Sequence, residues 1–247
     1  MTFYYPVKSV IEWIFAGMLF LMVFPILIVL GILIKIEDPT GSVLFIQERV
    51  GKNNEIFKMY KLRSMKNPTI INGKELSYDD RMLKIGQFIR KLSLDELPQL
   101  INILKGNMSF IGPRPLLVCY LPFYNEAELR RHNVKPGISG WAQVNGRNNV
   151  SWEERFALDV EYVGGCSFLF DMKIIFMTIQ KVVMRADIVE KEDEYILAFD
   201  EYRKKQWEQG QILDNITPLF SKTIPLKATP IMRNKEIKTT ELKNSHR

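Results

Sequence analysis

Asp95 and Glu96 stand side by side in Ser93-Leu94-Asp95-Glu96, within a stretch rich in arginine and lysine. An ionised carboxylate can act as a nucleophile or hold a hard cation. The same four residues also read as a helix start, with Ser93 at the N-cap and Glu96, three residues on, completing a capping box. In that reading Asp95 lies in the first turn, where unpaired N–H groups and the positive helix end favour its charged form. Adjacent helical residues point in different directions, so the two acids should hold distinct roles rather than share one proton. Spacing alone leaves capping and catalysis both open.

Cationic residues surround the pair in sequence. Lys61 and Arg63 fall on one face of a strand-like run by period two. Arg90 and Lys91 stand one residue ahead of Ser93-Leu94-Asp95-Glu96, Arg114 is clamped in Gly112-Pro113-Arg114-Pro115, and Arg147 ends Val144-Asn145-Gly146-Arg147. Prolines on both sides of Arg114 reduce the entropy lost in presenting its guanidinium. Taken singly, each is an ordinary surface cation; together they suit a site that neutralises phosphates. Walker A and GxGxxG patterns are missing, so the sequence does not indicate a P-loop or Rossmann nucleotide site.

These residues need elements to hold them. Val43–Gln47 and Ile56–Leu62 carry β-formers around a turn at Gly51–Asn54. Residues 66–80 read as a loop, 81–90 as a helix, and 93–104 as a second helix stopped by Lys105-Gly106. The pattern predicts helix over 116–131, loop or short strand over 133–148, and helices over 152–162 and 170–185. Residues 190–211 suit an exposed charged helix, and little fixed structure is expected from Thr217 onward. The fold class is therefore α+β, mainly helical, with a short β-hairpin.

Trp13 to Ile34 runs 22 residues without a charge, enough to cross a bilayer. It is too long, and lacks a following small-residue site, for a cleaved signal peptide. Pro25 sits at its middle, and two readings stand level: a kinked spanning helix, or a helix that bends at Phe24–Pro25 and returns to the same face. The division that results is an anchor over 1–38, a site-bearing domain over 39–187 and an extension over 188–247.

The net charge of +6 at first suggests nucleic acid. From Ser221 to Arg247 there are seven Lys/Arg against two Asp/Glu, a net of +5, which leaves +1 for residues 1–220. A basic tail of that kind suits anionic lipid or solvent, and no aromatic–basic RNA motif or zinc finger accompanies it. The two cysteines, Cys119 and Cys166, lie far apart, and there are only two histidines. A disulfide framework, a His-based metal cluster and a Ser-His-Asp triad thus have little material.

The block KIGQFIRKLSLDELPQLINILKGNMSFIGPRPLL, with KMYKLRSM upstream and VKPGISGWAQVNGRN downstream, resembles the bacterial sugar transferases, the monotopic polyprenyl-phosphate phosphoglycosyl transferases. The similarity runs from about Val7 to Arg185 and lies nearest the small bacillosamine-phosphotransferase type of N-linked glycan assembly. It implies transfer of a sugar-1-phosphate from a UDP-sugar, by nearest resemblance an N-acetylated amino sugar, to undecaprenyl phosphate with release of UMP. It further implies Asp95 as nucleophile in a covalent phosphosugar intermediate, Glu96 as its helper, and Mg²⁺ held by the two acids. Arg90, Arg114, Arg147 and Asp171 match residues that shape the family's site, and Lys61 and Arg63 match its basic strand. The resemblance places the domain on the cytoplasmic face of the bacterial inner membrane, with downstream glycosyltransferases as candidate partners. It favours the re-entrant anchor, although Phe24 stands where the small relatives typically carry serine.

Overall fold

The computed structural model describes residues 4–67, 70–71, 74–146, 150–184 and 198–209. Arg147, the basic tail and most of the extension lie outside them. Helix α1, Tyr4–Glu37, leads into an antiparallel hairpin of β1, Leu44–Val50, and β2, Ile56–Leu62. Its turn puts Asn53 and Asn54 at φ of 54° and 64°, a left-handed geometry that asparagine tolerates. A minimal hairpin of β3, Ile70–Ile71, and β4, Lys74–Glu75, follows, then α2, Tyr78–Arg81, and α3, Lys84–Lys91. The stretch read as loop from residue 66 thus carries short elements, too brief for periodicity to register.

Helix α4, Gln99–Leu104, ends at Lys105 with Gly106 at φ 78°, the glycine stop that the sequence predicts. Strand β5, Ser109–Ile111, pairs in parallel with β6, Gly137–Ser139, and between them lies α5, Glu126–Leu129. The single helix expected over 116–131 is instead a 3-10 run at Val118–Phe123, then α5, then a 3-10 turn at Arg130–Asn133. Pro122 and the Asn125 capping box divide it. Helix α6, Trp141–Asn145, lies where loop or strand is expected, while α7, Trp152–Gly165, and α8, Phe168–Met184, agree with the periodicity.

One narrow seam of α1 is buried: Ala16, Val23 and Leu30 at seven-residue spacing, then Ile34. Ala16 and Val23 join Phe57, Met59, Leu100 and Ile103, and Leu30 and Ile34 join Leu62, Leu83 and Ile89. Helical backbone continues through Pro25, so the chain stays helical at Phe24–Pro25 rather than unwinding there. Packing on both sides of the proline holds the helix despite the missing N–H. Both ends of α1 bond to the same domain. Near the start, Lys8 pairs with Asp171; at the finish, the Glu37 carboxylate accepts from the backbone N–H groups of Lys84 and Ile85 at 2.7 and 2.9 Å.

The outward side of α1 stays apolar, with Leu21 and Met22 75% and 71% exposed. Helix α8 likewise turns Leu169, Met172, Phe176 and Ile179 outward while burying Asp171 and Ile174. A soluble surface rarely carries two such faces.

Helix α9, Phe199–Glu208, lies in the stretch predicted as an exposed charged helix. The structure corrects that expectation for one face, since Phe199, Asp200 and Arg203 are buried. Phe199 enters an aromatic cluster with Tyr120, Tyr124, Trp152 and Phe156.

Candidate active site

Asp95 and Glu96 occupy a single 3-10 turn, Leu94–Glu96, between α3 and α4. The capping box expected at Ser93 is not formed. Ser93 has φ 54° and makes no side-chain cap, and its N–H bonds back to the Arg90 carbonyl at 2.9 Å. It finishes α3 rather than starting α4, which begins at Gln99 behind Pro98. The helix-end argument for ionising Asp95 therefore lapses. A left-handed serine costs roughly 1–2 kcal/mol, and backbone of this kind concentrates where side chains are being aimed.

Lys61, near the open end of β2, reaches both acids, with its Nζ 2.8 Å from Glu96 Oε1 and 3.7 Å from Asp95 Oδ2. Arg114 approaches the same Glu96 oxygen at 3.8 Å. Arg90 acts electrostatically on Asp95; its Nε donates to Ser64 Oγ at 2.8 Å and its Nη1 to the Tyr78 hydroxyl. That geometry requires close approach of α3 to Ser64, since a Cβ on Gly86 would stand 2.1 Å from the Ser64 carbonyl oxygen. A Cβ on Gly112 would meet the Lys135 carbonyl oxygen at 2.4 Å, so only glycine lets the Arg114 loop sit against the strand entering β6.

The two carboxyls are driven apart electrostatically. Burial pushes Asp95 up from the ordinary carboxylate range and the Glu96 charge adds to this, with Lys61 and Arg90 pulling the other way. Burial also acts on Glu96, but Arg114, Lys61 and a hydrogen bond with Gln99 outweigh it and hold that carboxyl low. Glu96 is thus the more firmly held anion, and Asp95 the carboxyl whose charged form burial disfavours.

Other expected site residues lie elsewhere. Arg63 is buried at the foot of α1, where it pairs with Asp38 and donates to the Asp38 and Ser42 carbonyls. Period two placed it beside Lys61, but β2 ends at Leu62 and the chain turns. Asp171 is buried beneath α1, accepting from Tyr4 at 2.6 Å and Tyr162 at 2.7 Å, with Lys8 at 2.7 Å. Neither makes a contact with Asp95 or Glu96 among those the structure describes. Sequence reasoning missed Gln99, three residues beyond Glu96 and readable from that spacing. It also missed Arg131, whose Nη2 donates to the Arg114 carbonyl at 2.7 Å while its guanidinium pairs with Asp159. Nothing local in the sequence connects those three.

Among the described residues no group of three or more His, Cys, Asp or Glu is arranged to hold a metal. Mg²⁺ commonly uses one or two carboxylates, completed by substrate phosphates and water, so Asp95 and Glu96 fit a shared ion better than a closed cage.

A family model of bacterial sugar transferases matches residues 3–185. The uncharacterised sugar transferase EpsL of Bacillus subtilis is 51% identical over 155 residues, covering 63% of this chain and 75% of that protein. A UDP-glucose:undecaprenyl-phosphate glucose-1-phosphate transferase of Escherichia coli is 39% identical over 185 residues, 70% of this chain and 39% of its own. A UDP-N-acetylgalactosamine-undecaprenyl-phosphate N-acetylgalactosaminephosphotransferase of Aeromonas hydrophila is 41% identical over 171 residues, 64% of this chain and 39% of its own. The chain thus spans about two-fifths of the length of the last two.

Proposed function

Because the chain belongs to the bacterial sugar transferase family, we propose that it moves a sugar-1-phosphate from a UDP-sugar to undecaprenyl phosphate in two displacements at Asp95. In the first, an Asp95 carboxylate oxygen attacks the β-phosphorus, the bond to the bridging oxygen breaks, and UMP departs. In the second, a phosphate oxygen of the lipid attacks the same phosphorus and Asp95 leaves, giving a sugar-diphospho-lipid. The single observation carrying this reading is that Lys61 and Arg114 converge on Glu96 beside a partly desolvated Asp95.

A carboxylate attacking a diphosphate meets like charge, and Lys61, Arg90 and Arg114 are placed to offset it. Asp95 and Glu96 would hold Mg²⁺, which would supply further charge neutralisation. Glu96 holds Lys61 and Arg114 in reach of the phosphates. One covalent intermediate lets a water-soluble donor and a lipid acceptor use the same site in turn.

The membrane assignment rests on the outward apolar faces of α1 and α8. The domain packs along the length of α1, from Ala16 and Val23 to Leu30 and Ile34, while the outward side of the helix stays apolar. This supports an anchor that enters and stays on one side, here the cytoplasmic face. We propose an N-acetylated amino sugar as the donor, the relatives' names dividing between N-acetylgalactosamine for the Aeromonas protein and glucose for the Escherichia coli one. A UMP-release assay with undecaprenyl phosphate and a panel of UDP-sugars tests the function: preference for an N-acetylated donor is expected, preference for UDP-glucose overturns the sugar, and no release with any donor overturns the reaction.

A further inference from the structure

Helix α9 lies beyond residues 3–185 that the family model matches, yet it is joined to the site by a continuous set of contacts. Phe199 is fully buried, with its ring centroid 4.9 Å from Phe156 and 5.2 Å from Tyr124. The Arg131 guanidinium lies over both of those rings, 5.5 Å from Phe156 and 5.9 Å from Tyr124. Arg131 in turn donates to the Arg114 carbonyl and is fixed by Asp159. Leu116, two residues past Arg114, belongs to the same cluster as Phe199, and its carbonyl accepts from Val50 N at 3.2 Å.

Polar contacts lock α9 in place. Arg203 pairs with buried Glu128 and with Glu153, the latter at 3.3 Å, and the Tyr202 hydroxyl donates to Glu153 at 2.7 Å. A merely solvated helix would not bury an arginine against two carboxylates.

We propose that α9 is a positioning element of the active site: Phe199, seated by Arg203, holds the aromatic cluster against Arg131 and so fixes where Arg114 stands relative to Glu96. Phe199 does not touch substrate and acts through Arg131 and the Arg114 loop. Emptying its place lets Phe156 and Tyr124 relax inward, and Arg131 follows the rings on which it lies. A displacement of about 1 Å in a positioning group can cost up to roughly a hundredfold in rate. The effect expected here is a smaller one.

This inference rests on the reading of Arg114 as a phosphate-binding group, and a double-mutant cycle separates the two. UMP release is measured in the full-length chain for Phe199→Ala, Arg114→Ala and the pair, with thermal melting of each. The expected result is a fall of about tenfold in kcat/KM for Phe199→Ala, and less than about twofold for the same change in the Arg114→Ala background. Equal losses in both backgrounds, or full activity in Phe199→Ala, overturn the positioning role. Full activity in Arg114→Ala overturns the underlying reading of the site, and the positioning role with it. If Phe199→Ala does not fold, Phe199→Leu, which keeps most of the buried volume, is put through the same cycle and judged by the same non-additivity.

Discussion

Lys61 stands 2.8 Å from Glu96, and Lys8 stands 2.7 Å from Asp171, yet the two pairs sit in different surroundings. Around Asp171 both oxygens are engaged, by Tyr4, Tyr162 and Lys8, and the group is 3% exposed. At the other site Lys61 is divided between Glu96 and a more distant Asp95, and the Arg114 side chain is 44% exposed. The first pair clasps α1 to α8 and offers little to an incoming ligand. The second keeps cations within reach of solvent beside a carboxyl that burial has made less comfortable as an anion. Charge enclosed on every side holds a fold together; charge that solvent still reaches can meet a phosphate.

The sharpest way to break this comparison is at Asp95. Asp95→Asn should lower UMP release by more than about a thousandfold with an unchanged melting temperature, as loss of a nucleophile requires. Arg114→Ala should cost about 10²–10³ in kcat/KM, the usual loss when one preorganised electrostatic partner is removed. Asp171→Ala should reverse the pattern. Taking the nearer carboxylate from buried Lys8, which keeps Glu12 at 3.9 Å, is expected to cost about 3 kcal/mol of stability, read as a fall in melting temperature, while the protein that remains folded keeps its kcat. A loss of kcat in Asp171→Ala without a loss of stability would erase the distinction between the two regions.

A smaller effect concerns pH. Asp95 must be ionised to attack, and its pKa is raised by burial and then by Glu96. Activity should therefore disappear, as pH falls, at a higher pH than an ordinary aspartate would set. Glu96→Gln removes a charge that raises Asp95, so the acid limb of the normalised kcat/KM profile should move to lower pH. Lys61→Met removes a charge that lowers it, and the limb should move to higher pH. Shifts in the same direction for both variants would contradict the electrostatic assignment.

Much of this was legible in the residues, though unevenly. The hairpin turn, the stop at Gly106 and the helices from Trp152 and near Phe170 follow from local chemistry, because turn residues and apolar spacing act over a few positions. Lys61, Arg90 and Arg114 were found as cations, and the fold brings them to Asp95 and Glu96. Arg63 and Asp171 carry the same kind of signal, but burial beside Asp38 and Lys8 decides their part, and burial depends on packing between distant segments. The capping box failed for a related reason: Ser93 was claimed by the end of α3, and a 3-10 turn replaced the helix start. Helix α9 was visible as a helix; its buried face was not, since Phe199 meets partners some 40 to 80 residues away.

The central claim, that Asp95 becomes covalently bonded to the sugar phosphate, is tested most directly by mass spectrometry after incubating the protein with its UDP-sugar and no lipid acceptor. The account predicts release of one UMP per chain and a matching sugar-phosphate adduct on the peptide containing Asp95, discharged when undecaprenyl phosphate is added. Full turnover with both substrates, but no adduct and no UMP release without the acceptor, would contradict it and indicate direct attack of the lipid on the donor.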